Sequence, residues 1–328
     1  MDASLRRKLI IGLALGFLLY LVFAFLADLR EVLEVGGSFP WILLPAVIAL
    51  ATGNYLVRLV RWNFYMRSLG IRLSGRDSAA VFFAGLAMSI TPGKFGELLK
   101  AQYVKNIDGT PRRRTGTIVL AERLTDLIGV LLLASFGVFQ LRYGELIFFA
   151  CLALILFALA IIASRRLSLG MLRLASRLPL VARVAHKLEE AYESIASLVR
   201  PAPLLAATAL STLAWGCECV GFFLVVNALP GVEVAFHHAL FIYAFATVVG
   251  AVTMLPGGLV ATEGTMTGLL LLLRVAAAKA VAATLITRLA TLWYAVLIGL
   301  CTTVLRRRLL EGEGRGAETA EESAASQR

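Results

Sequence analysis

Apolar residues run almost unbroken over Leu9 to Ala27, Phe39 to Tyr65, Gly116 to Leu141, Glu145 to Ala163, Pro201 to Leu229 and Ala278 to Leu305. Each run approaches or exceeds the ~20 residues with which an α-helix crosses a bilayer, so the pattern predicts six full transmembrane helices. Two more stretches, Asp77 to Val104 and His237 to Leu273, are as apolar but interrupted, at Thr91-Pro92-Gly93 and at Leu255-Pro256-Gly257-Gly258. Proline removes a backbone donor and glycine lets the chain turn, so both predict broken helices. The pieces Asp77 to Ile90 and Phe95 to Val104, at ~1.5 Å per residue, are too short to span singly. Between the halves, segment 167–200 mixes Leu169, Leu172, Leu180 and Val184 with Arg173, Arg177, Arg183 and Lys187. It predicts amphipathic helices on the cytoplasmic membrane surface, with a solvated linker as the alternative. The end of the chain, 311–328, is acidic, small and free of aromatics, the composition of a disordered tail.

Composition supports lipid as the solvent. The 328-residue chain is 59% apolar and 16% charged, with a mean hydropathy of +0.83, where soluble domains carry about 25% charge. No stretch is left for a soluble catalytic domain, so residues 1–310 read as one integral membrane domain and an enzyme is not expected. Cys151, Cys217, Cys219 and Cys301 all lie in apolar stretches, which excludes a disulfide scaffold. Cys217 and Cys219 have no histidine nearby in sequence and read as inert buried thiols. Neither metal nor cofactor is expected. The net charge of +11 raises a nucleic-acid partner, but the basic residues sit in short segments between apolar runs without interleaved aromatics. That is the pattern of cytoplasmic loops, not of a nucleic-acid platform.

Loop charge decides how the broken segments run. If both cross the membrane once, with the N-terminus inside, the short loops hold ten Lys/Arg inside and fourteen outside. If each turns back to the side it entered from, the count becomes twenty inside and four outside. The positive-inside rule selects re-entrant hairpins, with both termini cytoplasmic. The breaks also belong to a longer pattern. Pro92 precedes Arg123 by 31 residues and Pro256 precedes Arg288 by 32, with Glu97 and Glu263 following the respective breaks. Aligned on the arginines, Leu120, Leu124 and Leu127 match Leu285, Leu289 and Leu292. Repeat one (about 39–141) and repeat two (about 201–305) then face opposite sides of the membrane. Paired broken helices of inverted topology place a transport site near the midplane. The expected fold is therefore an all-α polytopic membrane protein, with six full transmembrane helices plus two re-entrant broken-helix hairpins in an inverted repeat.

Charges inside these segments carry the candidate chemistry, because each costs at least ~2.5–3.5 kcal/mol at the centre of a lone helix. The bases are Arg58, Arg61, Lys94, Lys100, Arg123 and Arg288; the acids are Glu97, Glu122, Asp126, Glu218 and Glu263. Asn54, Arg58, Arg61 and Tyr65 form one helical stripe. No acid shares that helix with Arg58 and Arg61, so Glu97, Glu263 or an anionic ligand is expected to compensate them, with Arg61 also able to snorkel to the headgroups. Glu122, Arg123 and Asp126 can either pair on their own helix or serve a ligand. Glu218 has no evident partner. At the first break, Thr91, Pro92, Gly93, Lys94, Gly96 and Glu97 would open a half-helix whose free N–H groups suit phosphate, with Lys94 beside it. At the second, Pro256, Gly257 and Gly258 make the turn, Thr262 is the expected N-cap and Glu263 supplies the acid. With Arg123, Asp126 and Arg288, these residues form the candidate substrate site.

TPGKFGE at 91–97, AERLTDL at 121–127, LPGGLVATEG at 255–264 and TRLATLWYAVLIGL at 287–300 resemble the lysylphosphatidylglycerol synthase transmembrane (flippase-like) family, over about Leu9 to Leu305. The resemblance implies a helical bundle with re-entrant pairs. Bifunctional members make aminoacylated phosphatidylglycerol, move it between leaflets and carry a cytoplasmic acyltransferase domain. Here a short acidic tail follows the membrane region, so the synthase activity is expected to be missing. The expectation is a flippase of the inner (cytoplasmic) membrane, moving a lipid with a phosphate-containing headgroup. Its partners would be an anionic or aminoacylated phospholipid or a lipid-linked precursor. An enzyme of glycolipid or polyprenyl-phosphate sugar synthesis, and a scaffold for envelope synthesis, are the alternatives.

Overall fold

The computed structural model describes residues 29–91, 98–138 and 185–312, with a few positions between 149 and 164. Among the described residues every regular element is helical. In chain order these are α1 (Leu29–Ser38), α2 (Leu44–Ser68, entered through a 3-10 turn at Trp41–Leu43), α3 (Gly75–Leu86), α4 (Leu99–Asp108), α5 (Arg112–Val138), α6 (Ala185–Leu198), α7 (Pro201–Asn227), α8 (Phe236–Val252), α9 (Ala261–Leu272), α10 (Ala277–Arg288), α11 (Tyr294–Leu305) and α12 (Arg307–Glu311). A π turn at Leu289–Trp293 joins α10 to α11. The expected spans at Leu9 to Ala27 and Glu145 to Ala163, the segment from Leu167 to Val184 and the tail from 313 lie outside the described residues, apart from those few positions.

Three helical runs, Trp41–Ser68, Pro201–Asn227 and Ala277–Leu305, are long and apolar enough to cross a membrane. α5 is as long as these, and carries Glu122, Arg123 and Asp126 in its middle. The apolar pattern missed α1, whose Val32 packs on Ala278, Val281 and Ala282 of α10; two glutamates and a Gly-Gly pair hide it in sequence. Local chemistry fixes several ends. The Ser74 hydroxyl accepts from the Asp77 N–H at 3.1 Å and donates to its carboxylate at 2.7 Å, starting α3 as a capping pair. Gly109, at φ 81°, ends α4.

The interrupted stretches break where the sequence places the breaks. α3 tightens into a 3-10 turn over Ala87–Ile90, and Thr91 is extended. α8 stops at Val252, and a 3-10 turn at Pro256–Gly258 leads into α9. Gly257 and Gly258 have φ of 62° and 66°, and Val260 reaches 72°, a costly conformation for a β-branched residue. The N-cap expectation fails here. α9 starts at Ala261 from Val260 with no side-chain cap, because the Thr262 hydroxyl is packed against Gly250 and Gly258. With 12, 10, 17 and 12 residues, α3, α4, α8 and α9 each fall short of the ~30 Å hydrocarbon core at ~1.5 Å per residue.

The two halves pack crosswise. α2 lies along α7, α8 along α5, and α3 along α11, while the 3-10 turns at 87–90 and 256–258 touch. Within each half the second arm packs on the following helix, α4 on α5 and α9 on α10. Glycine sets the crossings, since small residues let membrane helices approach backbone to backbone. A Cβ at Gly299 would overlap the backbone of Leu86 and Ala87, one at Gly129 would meet Ser211 and Thr212 of α7, and one at Gly137 would meet Phe241 and the His237 carbonyl. Gly299→Val is expected to cost about 1–3 kcal/mol by overpacking, read as a lowered unfolding temperature in detergent; an unchanged temperature would contradict the crossing.

Candidate functional site

Asn54, Arg58, Arg61 and Tyr65 are all buried on one face of α2. That face meets α5 and α7. Arg61 donates through Nη1 to Asp126 Oδ1 at 2.6 Å and to the Thr125 hydroxyl at 3.2 Å. The same carboxylate oxygen accepts from the Ser211 hydroxyl at 2.7 Å and from Trp215 Nε1 at 3.0 Å. Asn54 Nδ2 donates to the Ala214 carbonyl at 2.8 Å, and the Arg58 guanidinium lies 6.0 Å from the Trp215 ring centre. One acid thus ties three helices together. Two expectations are corrected: Arg61 does not snorkel, being 0% exposed, and its counter-charge is Asp126. The acid comes from a different helix, and only the α2–α5 contact reveals it. Arg123 is 3.6 Å from Asp126 with 27% of its side chain exposed, so it is the looser of that carboxylate's two cationic neighbours.

A second pair, counted among the intramembrane charges but not foreseen as a pair, joins α4 to α5. Lys100 Nζ donates to Glu122 Oε2 at 2.6 Å, both residues buried. Nζ also sits 4.6 Å from the Trp62 ring centre and 5.5 Å from that of Phe82. The lysine stem crosses Gly85, where a Cβ would come 2.6 Å from Lys100 Cγ. Glu122 and Asp126 therefore reach bases on α4 and α2, where same-helix pairing was one expectation.

The second break carries the third pair. Arg288 Nε donates to Glu263 Oε1 at 2.6 Å and Nη2 to the Gly257 carbonyl at 2.8 Å. The guanidinium thereby fastens the turn at 256–258 to both α9 and α10. Nearby, the Tyr55 hydroxyl donates to the Thr291 carbonyl at 2.7 Å inside the π turn, and lies within electrostatic reach of Glu218, Arg58 and Arg288. Glu218, which the sequence left without a partner, accepts from the Tyr243 hydroxyl. A hydroxyl partner on α8 leaves no charge signature along the chain.

The two breaks meet. A Cβ on Gly257 would lie 3.4 Å from Ile90 Cα and 3.3 Å from Leu292 Cδ2. The described contact is aliphatic, formed by Ala87, Met88, Ile90, Leu259, Leu292 and Val296. The sequence leads one to expect polar surface at this junction; among the described residues the charges stand behind the contact, as carboxylate pairs. Thr91 is buried and its hydroxyl closes its own turn on the Met88 carbonyl at 2.7 Å. Pro92, Gly93, Lys94, Gly96 and Glu97 lie outside the described residues. A cavity of about 270 Å³ opens between α2 and the α10–α11 bend, lined by apolar side chains with Trp41, Trp293 and Tyr294.

A family model described as "Lysylphosphatidylglycerol synthase TM region" matches residues 9–299. A "UPF0104 membrane protein" of Methanothermobacter thermautotrophicus is 27% identical over 306 residues, covering 87% of this chain and 90% of that protein. A second UPF0104 membrane protein, from Pyrococcus horikoshii, is 23% identical over 285 residues, covering 78% of this chain and 85% of that protein.

Proposed function

The chain belongs to the lysylphosphatidylglycerol synthase TM region family, a family of membrane proteins, and from that premise we propose that it moves a lipid with a phosphate-containing headgroup between the leaflets of the cytoplasmic membrane. The reading takes both termini as cytoplasmic. It takes α2, α5, α7 and α10–α11 as four of six spans, and α3–α4 and α8–α9 as oppositely facing re-entrant hairpins. In its favour are four arms too short to span, the excess of basic residues in the loops it places inside, and the crosswise packing of each hairpin's first arm on the other half's last helix.

The observation that carries the reading is the bond from Arg288 to both Glu263 and the Gly257 carbonyl, at the point where the breaks touch. A base that holds an acid and the turn together closes the path between the halves. A headgroup phosphate is a competing partner for such a base, since guanidinium binds carboxylate and phosphate alike. Opening then means exchanging internal pairs for bonds to the lipid, with Arg58, Arg61 and Arg288 available along the way and the 92–97 turn supplying N–H groups and Lys94. Acyl or prenyl chains stay in the bilayer. Movement of one half against the other would pass the headgroup across.

Reconstitution tests it. Purified protein in phosphatidylcholine vesicles with traces of fluorescent phosphatidylglycerol, aminoacylated phosphatidylglycerol or a polyprenyl phosphate is expected to speed the appearance of label in the opposite leaflet. Folded protein that accelerates none of them would remove the proposal.

A further inference from the structure

The pair on α4 and α5 has a property that the transport reading alone does not supply, although the inference rests on that reading. Lys100 and Glu122 are joined through Oε2 alone. Glu122 Oε1 is buried without a hydrogen-bond partner, and so are Nε and Nη2 of Arg61 and Oδ2 of Asp126. Glu122 and Asp126 both act electrostatically on Arg61, so these donors and acceptors share one region between α2 and α5. Buried polar atoms are almost always bonded, to protein or to trapped water, and a polar space with several partners is where internal water resides. Water there touches Glu122 Oε1 and can carry a proton to it.

Charge balance gives that proton a use. Lys100 and Arg61 match Glu122 and Asp126 one for one, so an anion entering this space adds an uncompensated buried charge. A proton on Glu122 offsets it. Lys100 stays in place without its carboxylate, because its ammonium faces Trp62 and Phe82 and its stem is seated on Gly85.

We propose that Glu122 is a proton-binding residue whose protonation hands Lys100 to an oxyanion of the lipid headgroup, so that an anionic lipid and a proton cross together. The proton arrives from water and sits on Oε1, leaving a neutral acid. Lys100 keeps its charge and takes a headgroup oxygen in place of Oε2; release of the lipid and of the proton restores the pair. The charged and titratable groups around Glu122 are Lys100 on α4, Arg58, Arg61 and Tyr65 on α2, and Arg123 and Asp126 on its own helix. On the other helices packed against α5 they are Glu218 with Tyr243, Tyr192 and Glu193 on α6, and His237 and His238 at the far end, near Gly137.

Vesicles carrying the protein and fluorescent phosphatidylglycerol, with the membrane potential clamped, are compared under inside-acid, inside-alkaline and zero pH gradients. Translocation is expected to run about fivefold or more faster down the proton gradient than against it. Equal rates in all three overturn the proposal and leave the transport reading standing; no translocation in any of them removes both. Infrared difference spectra assign the residue. Adding phosphatidylglycerol to the protein in phosphatidylcholine nanodiscs is expected to raise a protonated-carboxyl band, which Glu122→Gln abolishes. Should that single variant fold poorly, Lys100→Met with Glu122→Gln removes both charges and serves the same comparison. A band that persists in either folded variant overturns the assignment. A band raised by inorganic phosphate alone makes the partner a free anion and overturns the lipid step.

Discussion

Asp126→Ala is expected to lower stability by about 3–5 kcal/mol, the cost of leaving one member of a buried pair without its counter-charge. The loss is large because one carboxylate oxygen accepts from Arg61, Ser211 and Trp215, so its removal unties α2, α5 and α7 together. Arg61, fully buried, is left as a cation beside a hydroxyl. Arg61→Met combined with Asp126→Leu removes both charges and is expected to recover a good part of the loss, since well-packed apolar residues can replace a buried pair at little cost. Unfolding of the variants in mild detergent, followed by tryptophan fluorescence, separates the cases. A single variant within about 1 kcal/mol of the parent, below the usual worth of a hydrogen bond to a charged group, would mean that Asp126 is not what holds this junction.

Arg288→Lys tests function more than stability. The lysine keeps the charge and can still meet Glu263, but an ammonium is a point donor where the guanidinium is a planar fork. The bond to the Gly257 carbonyl is the one expected to go. A hydrogen bond from a charged group contributes about 1.5–3 kcal/mol, and 1.4 kcal/mol is a factor of ten, so translocation is expected to fall about ten- to hundredfold while the protein still elutes as a folded monodisperse species. Full activity in the lysine variant would show that fastening the turn at 256–258 plays no part in transport.

Much of this was legible along the chain. The runs of apolar residues located α2, α5, α7 and α10–α11 to within a few positions, because a helix that buries or faces lipid all round needs no partner to declare itself. Pro-Gly punctuation located both interruptions, since the lost donor and the freed φ are properties of those residues alone. The i, i+4, i+7 spacing put Asn54, Arg58, Arg61 and Tyr65 on one buried face for the same local reason. That intramembrane charges must find compensation also followed from the sequence, through the cost of a bare charge in hydrocarbon.

Who compensates whom did not follow. Arg61 meets Asp126, 65 residues away, Lys100 meets Glu122 across 22, and Arg288 meets Glu263 across 25. Those choices are made by which helix faces touch, and helical periodicity carries no record of its neighbour. The start of α9 one residue early, with Thr262 seated on Gly250 and Gly258, came from packing overriding a capping preference. The aliphatic contact between the breaks is of the same kind: Ile90 and Leu259 are unremarkable in their own segments and become a seal only when the two halves cross. Sequence determined where this chain is helical, where it bends and that its buried charges need partners; tertiary packing alone decided the pairs and what lies between the bends, because both depend on contacts between residues that no local rule connects.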